Sequence, residues 1–426
     1  MKTTRLRAFL AVALFAAAGA MSLAADPPTD EKLKDTALKL NELANDEDRI
    51  AKIEELLKDK PAAKRLVKLA VEVHKAGKEK DSPYKYQGSL ALAQMAHVVK
   101  DYPTAELFYK FTADTSTKLS SGSKMIPAYN GLINVYNAQK KYAEVEEVAK
   151  KVIDINAGRE FELAKPVYME KLVQATAKKG DTDEALRMAE GLVQQFDGSV
   201  FFLQLKGWVQ QEAGKFDEAI TTYEDVIEKV AADKRLSAAA KKGLTTQARH
   251  ILSGLHVDNK NVDKAAEQLQ QLMKDNPDIP TLYNDLGFIW ADHDKNLDES
   301  EKLIRKALEM EAELRKKALK EGTIDEETAK KESAAYLDSL GWVLYKKKKY
   351  DEAVKYLREA TKDEEDGNHL EIWDHLADAL VATGQKKEAV EIWEKALKLE
   401  DVSKRDVERR KKVTAKLKKM KEELSK

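Results

Sequence analysis

The chain has 426 residues, with 74 basic and 75 acidic side chains, no cysteine, and charged residues at 35%. The lack of cysteine excludes disulfides, thiolate metal ligands and a cysteine nucleophile. The balanced charge offers none of the basic excess that a nucleic-acid partner calls for. Abundant charge of both signs, few Gly and Pro, and apolar residues at helical spacing are the composition of an all-helical protein.

The first element is a predicted secretory signal peptide. Lys2, Arg5 and Arg7 precede an apolar run from Ala8 to Ala20, and Ser22-Leu23-Ala24 supplies small residues before Ala25-Asp26-Pro27. The run is short of the roughly 20 residues that span a bilayer. Cleavage after Ala24 is expected, with no cysteine available for lipid attachment. The remainder holds 71 basic against 75 acidic residues and is expected in the periplasm or outside the cell. Residues 25–85 read as a linker and helices. Leu33, Ala37 and Leu40, then Ile50, Ile53 and Leu57, then Leu66, Leu69, Ala70 and Val73 form apolar stripes, with Lys60-Pro61 as a break.

Eight related units then follow, starting at Tyr86, Ile126, Pro166, Val200, Thr246, Pro280, Ala334 and Leu370. Two neighbouring pairs, 166/200 and 246/280, are spaced by 34 residues. Each unit reads as a helical hairpin. Gly207, Gly287, Gly341 and Ala377 let the two helices approach, as do Ala219, Ala265, Ala353 and Ala389 from the second helix. Gly180, Gly214 and Gly384 suit the left-handed residue that ends a helix. Asp181 and Asp217 are expected caps or first-turn acids. Insertions near 233–245 and 313–333 are rich in Lys and Ala and predict lengthened second helices. In the second, Thr323 and Glu326 have the spacing of a capping box. Residues 404–426 hold eleven Lys or Arg against four acids. Val413, Leu417, Met420 and Leu424 give this segment an apolar stripe, predicting an amphipathic helix that caps the last unit.

The strings that carry the repeat are most legible near the end. YLDSLGWVLYKKKKYDEAVKYLREA begins at Tyr336, with Leu337, Leu340, Gly341, Leu344, Tyr350, Ala353, Leu357 and Ala360 in register. Trp373, Leu376, Ala377, Leu380, Gly384, Ala389, Trp393 and Ala396 repeat those offsets. This is similar to the tetratricopeptide repeat (TPR), a helix–turn–helix unit of about 34 residues. The resemblance covers residues 86 to about 403. It implies a right-handed superhelical solenoid whose first helices line a concave face, with positions 2, 5, 9, 12 and 13 of each unit facing the groove. Carried over, those positions hold Asn130, Asn134 and Asn137, then Glu170 and Gln174, then Phe201, Gln204 and Trp208. His250 follows, then Asn284 and Phe288, then Asp338, Trp342 and Tyr345, and finally Asp374 and Asp378. The resemblance implies that the amides hydrogen-bond an extended peptide and the aromatics anchor it. The clamp that some relatives use for a chaperone carboxylate does not fit. Asn130 stands where Lys is expected, Lys171 where Asn is, and Phe201 and Leu205 where Lys and Arg are.

The seven histidines make no H-x3-H or H-E-x2-H pattern. Nor is there a phosphate loop, a nucleophile elbow or a dinucleotide-binding glycine cluster. The expectation is a non-catalytic scaffold without cofactor or metal, whose partner is a peptide or protein segment in assembly, secretion or envelope maintenance. Self-association is one alternative. Weak envelope association through the basic C-terminal helix is another.

Overall fold

The computed structural model describes residues 27–77, 82–118, 122–156, 158–364, 366–399 and 404–425. The expected signal peptide lies outside them. Among the described residues every regular element is a helix. The described residues divide into two compact units, one up to Ala175 and the other from Thr176 onward.

The first unit contains α1 (Asp30–Lys39), α2 (Asp46–Leu57), α3 (Lys60–Ala76), α4 (Tyr86–Val98), α5 (Tyr102–Lys118), α6 (Gly122–Ala138), α7 (Tyr142–Asp154) and most of α8 (Arg159–Lys178). Its early helices are capped by side chains. Thr29, Asn45 and Asp59 accept hydrogen bonds from the backbone N–H of Lys32, Asp48 and Ala62, each worth about 1 kcal/mol. Pro61 sits in the first turn of α3, where its missing N–H costs nothing, so Lys60-Pro61 opens a helix as well as ending the stripe before it. Leu66 and Val67 of α3, Leu90, Leu92 and Met95 of α4, and Phe108 of α5 are fully enclosed. Each such side chain contributes about 1.5–3 kcal/mol through burial. Arg49 of α2 is also buried, donating to Gln87 and Gln94 of α4 and to Asp46.

The second unit contains α9 (Thr182–Gln195), α10 (Val200–Glu212), α11 (Phe216–Ala232), α12 (Ala238–Asp258), α13 (Val262–Asp275), α14 (Pro280–Asp292), α15 (Leu297–Lys320), α16 (Glu326–Lys330), α17 (Ala334–Lys346), α18 (Tyr350–Ala360), α19 (Leu370–Ala382), α20 (Lys386–Ala396) and α21 (Lys404–Leu424). The hairpins α10/α11, α12/α13, α14/α15, α17/α18 and α19/α20 stack in chain order, and α21 packs on α19 and α20. Second helices bury one stripe at helical spacing: α13 buries Val262, Ala265, Ala266, Leu269 and Leu272. Small residues set the hairpin spacing. A Cβ on Gly341 would stand 2.5 Å from Leu357 Cγ, and one on Gly207 2.7 Å from the Tyr223 ring.

One of the two insertions resolves differently from the expectation. Residues 238–245 lengthen the first helix α12, not the second helix before it, because Ser237 caps α12 by accepting from Ala240 N–H. The other insertion does extend a second helix, α15, to Lys320. Thr323 forms no capping box there: its hydroxyl donates to the Ala318 carbonyl, while Asp325 caps α16 by accepting from Thr328 N–H. A one-residue-deep carboxylate next to the helix start wins over a hydroxyl two residues upstream.

Candidate functional site

The first helix of each hairpin presents the residues expected to meet a partner, and the structure sorts them by exposure. In the first unit, Asn130 and Asn134 of α6 are exposed one turn apart. Gln174 of α8 is half-buried and spoken for, donating to Glu170 at 2.9 Å and accepting from Lys171 at 3.2 Å. In the second unit, His250 of α12 is exposed, and α10 carries an exposed aromatic. Phe201 is 39% exposed, and Trp208, two turns further on, is half-buried. Between them the Gln204 amide nitrogen is enclosed without a hydrogen-bond partner.

Further along the second unit the expected groove positions pack on one another. Asn284, Asp338 and Trp342 are buried, and Phe288 and Tyr345 are half-buried. The reason is a recurring link between adjacent first helices. Position five of one repeat unit meets position six of the next, counting from Thr246, Pro280, Ala334 and Leu370 and, for the terminal helix, from Lys404. His250 Nε2 of α12 lies 3.1 Å from Asp285 Oδ2 of α14. Asp338 Oδ1 of α17 lies 2.9 Å from His375 Nδ1 of α19. Asp374 Oδ2 of α19 lies 3.6 Å from Arg409 Nη1 of α21. At the α14–α17 step the corresponding residues are Asn284 and Ser339. There Asn284 Oδ1 is buried without a partner, and Ser339 donates to the Ala335 carbonyl. The position expected to face a ligand is thus used to join helices.

The hydrogen bond to Asp285 raises the His250 pKa above 6.5, against a smaller desolvation effect. A raised histidine pKa stabilises the fold fully below about 6.5, and that contribution is lost as pH rises through the folded value. The ring is half-exposed, so the effect on stability is small. We expect the His250 imidazole, followed by NMR, to titrate above free histidine and to fall back in Asp285→Asn. An unchanged titration would show that the two side chains do not interact in solution.

Around this ladder lies an aromatic stack. The Trp342 ring stacks nearly parallel to both Tyr345, with centroids 5.0 Å apart and planes at 5°, and His375, at 3.9 Å and 12°. Its Nε1 donates to Asp292 Oδ1 at 3.1 Å, and Lys346 Nζ lies 5.1 Å over its face. Trp342 therefore wedges three first helices together and shows a partner almost nothing. Burial opposes charging the fully enclosed His375, but Asp338 outweighs it and holds the pKa above the usual value, with Arg409 pulling the other way.

The C-terminal helix completes the face. Val413 and Met420 of α21 are buried and Leu417 is half-buried against the last hairpin, as its stripe predicted, while Leu424 is exposed. Its bases meet the acids of α19. Lys416 Nζ lies 2.8 Å from Asp374 and 2.6 Å from Asp378, and Arg409 pairs with Glu371. Burial and the neighbouring Asp374 charge raise the Asp378 pKa, with Lys416 opposing them. At the start of α21, Arg405 Nε reaches Asp258 Oδ1 at the end of α12, 3.1 Å away and 147 residues distant in sequence. The row α12, α14, α17, α19, α21 is therefore bent enough for side chains at its two ends to meet.

Sequence reasoning missed the ladder and this end-to-end contact. The signal for the ladder was present: fifth and sixth positions carry complementary types, His250 with Asp285 and Asp338 with His375. Nothing in the sequence marks Asp258 as the mate of Arg405.

Models of the tetratricopeptide repeat match residues 203–231, 255–314, 333–362 and 370–402, supporting that resemblance over these stretches. No curated protein matches the chain. Among solved structures, a tetratricopeptide repeat protein from Parabacteroides merdae is 12% identical, aligning 66% of this chain with 96% of its own at a TM-score of 0.46. The Cut9–Hcn1 hetero-tetramer of the APC/C aligns 90% of this chain with 76% of its chain, at 15% identity and a TM-score of 0.41. A set of kinesin-light-chain TPR-like repeats from Podosopora anserina is 20% identical over 46% of this chain and 91% of its own, with a TM-score of 0.33. These likenesses concern the fold alone.

Proposed function

We propose that this chain is an exported, non-catalytic scaffold that holds a peptide or protein segment against its first helices, in assembly, secretion or maintenance of the cell envelope. The reading rests on the repeat matches and, within the structure, on one observation. The first helix α10 keeps a large ring, Phe201, in solvent, two turns from the half-buried Trp208. Interface hot spots draw on such aromatic area. Export rests on the basic, apolar and small-residue pattern of residues 1–24.

The test is capture from envelope extract by the chain lacking residues 1–24, beside a Phe201→Ala, Trp208→Ala variant of equal helicity. A protein held by the former and lost by the latter supports recognition at α10. Each truncated anchor should cost on the order of 2 kcal/mol, a factor of about thirty in affinity. Equal capture by both chains rejects α10 as the site. Trp342 is unsuited to this experiment, because its ring holds the fold together.

A further inference from the structure

Acidic side chains recur along the first helices of the second unit, and a segment of the chain itself already pairs with several of them. Asp258, Asp292, Asp338, Glu371, Asp374 and Asp378 come from four successive first helices. The cations of α21 serve four of them: Arg405 reaches Asp258, Arg409 meets Glu371 and Asp374, and Lys416 bridges Asp374 and Asp378. Asp374 and Asp378 lie one turn apart, so the like-charge pair needs a cation between them. Arg409 and Lys416 are two turns apart on α21, and Val413, Leu417 and Met420 supply the adjoining apolar stripe. This is the pattern of a basic amphipathic helix seated in a complementary groove.

Helix α21 also stands in register with the array. Its sixth residue, Arg409, takes up Asp374 as the sixth residue of α19, His375, takes up Asp338. The face repeats one arrangement, an acid met by a nitrogen side chain on the next helix, a histidine in one case and an arginine in the other.

We infer that the α19 face is a docking site for a Lys/Arg-rich amphipathic helix of a partner protein, and that α21 is its resident occupant. This rests on the scaffold reading above and names the partner chemistry. A partner helix that presents two cations at seven-residue spacing beside an apolar stripe takes the place of α21. The tether from α20 keeps α21 at an effective concentration in the millimolar range, so the resident excludes weak competitors.

The probe is a labelled peptide of residues 404–424, followed by fluorescence anisotropy against the full chain. In a chain carrying Arg405→Glu, Arg409→Glu and Lys416→Glu, the resident helix loses its charge complementarity. The array should then bind the peptide at least tenfold more tightly than the unaltered chain does. Adding Glu371→Gln and Asp378→Asn should remove that gain. Uptake no greater than that of the unaltered chain, or uptake indifferent to Glu371→Gln and Asp378→Asn, would overturn the proposal. Should the charge-reversed chain fail to fold, the unaltered chain serves. Peptide above the effective concentration of α21 should speed amide exchange within residues 405–424, and unchanged exchange would equally overturn it. Peptide uptake at α19 does not involve Phe201 or Trp208, so its failure is distinguishable from failure of recognition at α10.

Discussion

Trp342→Ala should destabilise the second unit by about 3–5 kcal/mol, the usual cost of emptying a buried tryptophan site. Only 8% of the residue is exposed. Its ring fills the space between α14, α17 and α19, stacking on Tyr345 and His375 and donating to Asp292 at its edge. The alanine removes the ring from both stacks and leaves the Asp292 acceptor without its indole donor. Trp342→Phe keeps a stacking surface and loses mainly that hydrogen bond, so it should cost about 1–2 kcal/mol. Repeat arrays need not unfold in one step, so the measurement is amide exchange resolved by helix during urea unfolding. Protection should fall first in α17 and α19. An alanine variant as stable as the parent would mean that the ring is not wedged between the helices.

Asp374→Ala is the second large effect. This carboxylate is nearly enclosed and accepts from Trp393 Nε1 at 2.9 Å while holding Lys416 at 2.8 Å. Breaking a buried charge pair by removing one partner costs about 3–5 kcal/mol. Lys416 retains Asp378 and a third of its side chain is exposed, so the low end, about 3 kcal/mol, applies here. One compensation follows. Burial and Asp374 together hold the Asp378 carboxyl above the ordinary aspartate value, so removing the neighbouring charge should let its pKa fall. Asp374→Asn keeps an acceptor for the indole and should be the milder change. Urea denaturation compares the two substitutions, and equal stability of the alanine variant and the parent would remove Asp374 from the architecture.

The helical class, the hairpin repeats and the amphipathic terminal helix were legible because each depends on local spacing. Helices α10, α14, α17 and α19 begin at Val200, Pro280, Ala334 and Leu370, where the small and large residues recur. The lengthened α12 was misassigned because Lys and Ala suit either neighbouring helix, and only the Ser237 cap decides which one grows. The face toward a partner was less legible. Fifth-position residues such as His250, Asn284 and Asp338 look like ligand contacts when each unit is read alone. His250 and Asp338 become structural once the next first helix supplies Asp285 or His375, whereas Asn284 is simply buried. Trp342 is similar. Its position on the helix points inward, but how tightly the row of first helices curls decides whether that space is open, and curvature is a sum over several interfaces.

The contact between Arg405 and Asp258 also bears on the order in which the second unit assembles. Nearly all its other pairings join neighbouring hairpins and can form as soon as those hairpins exist, whereas this one spans 147 residues. Chain entropy opposes such a closure by about 1.3 kcal/mol more than it opposes one spanning a single repeat. An exposed ion pair returns at most about 1 kcal/mol, too little to draw the ends together unaided. The stacked hairpins must already have bent the row before the bond forms, which makes this contact the last to arrive during folding and the first to go when the array frays.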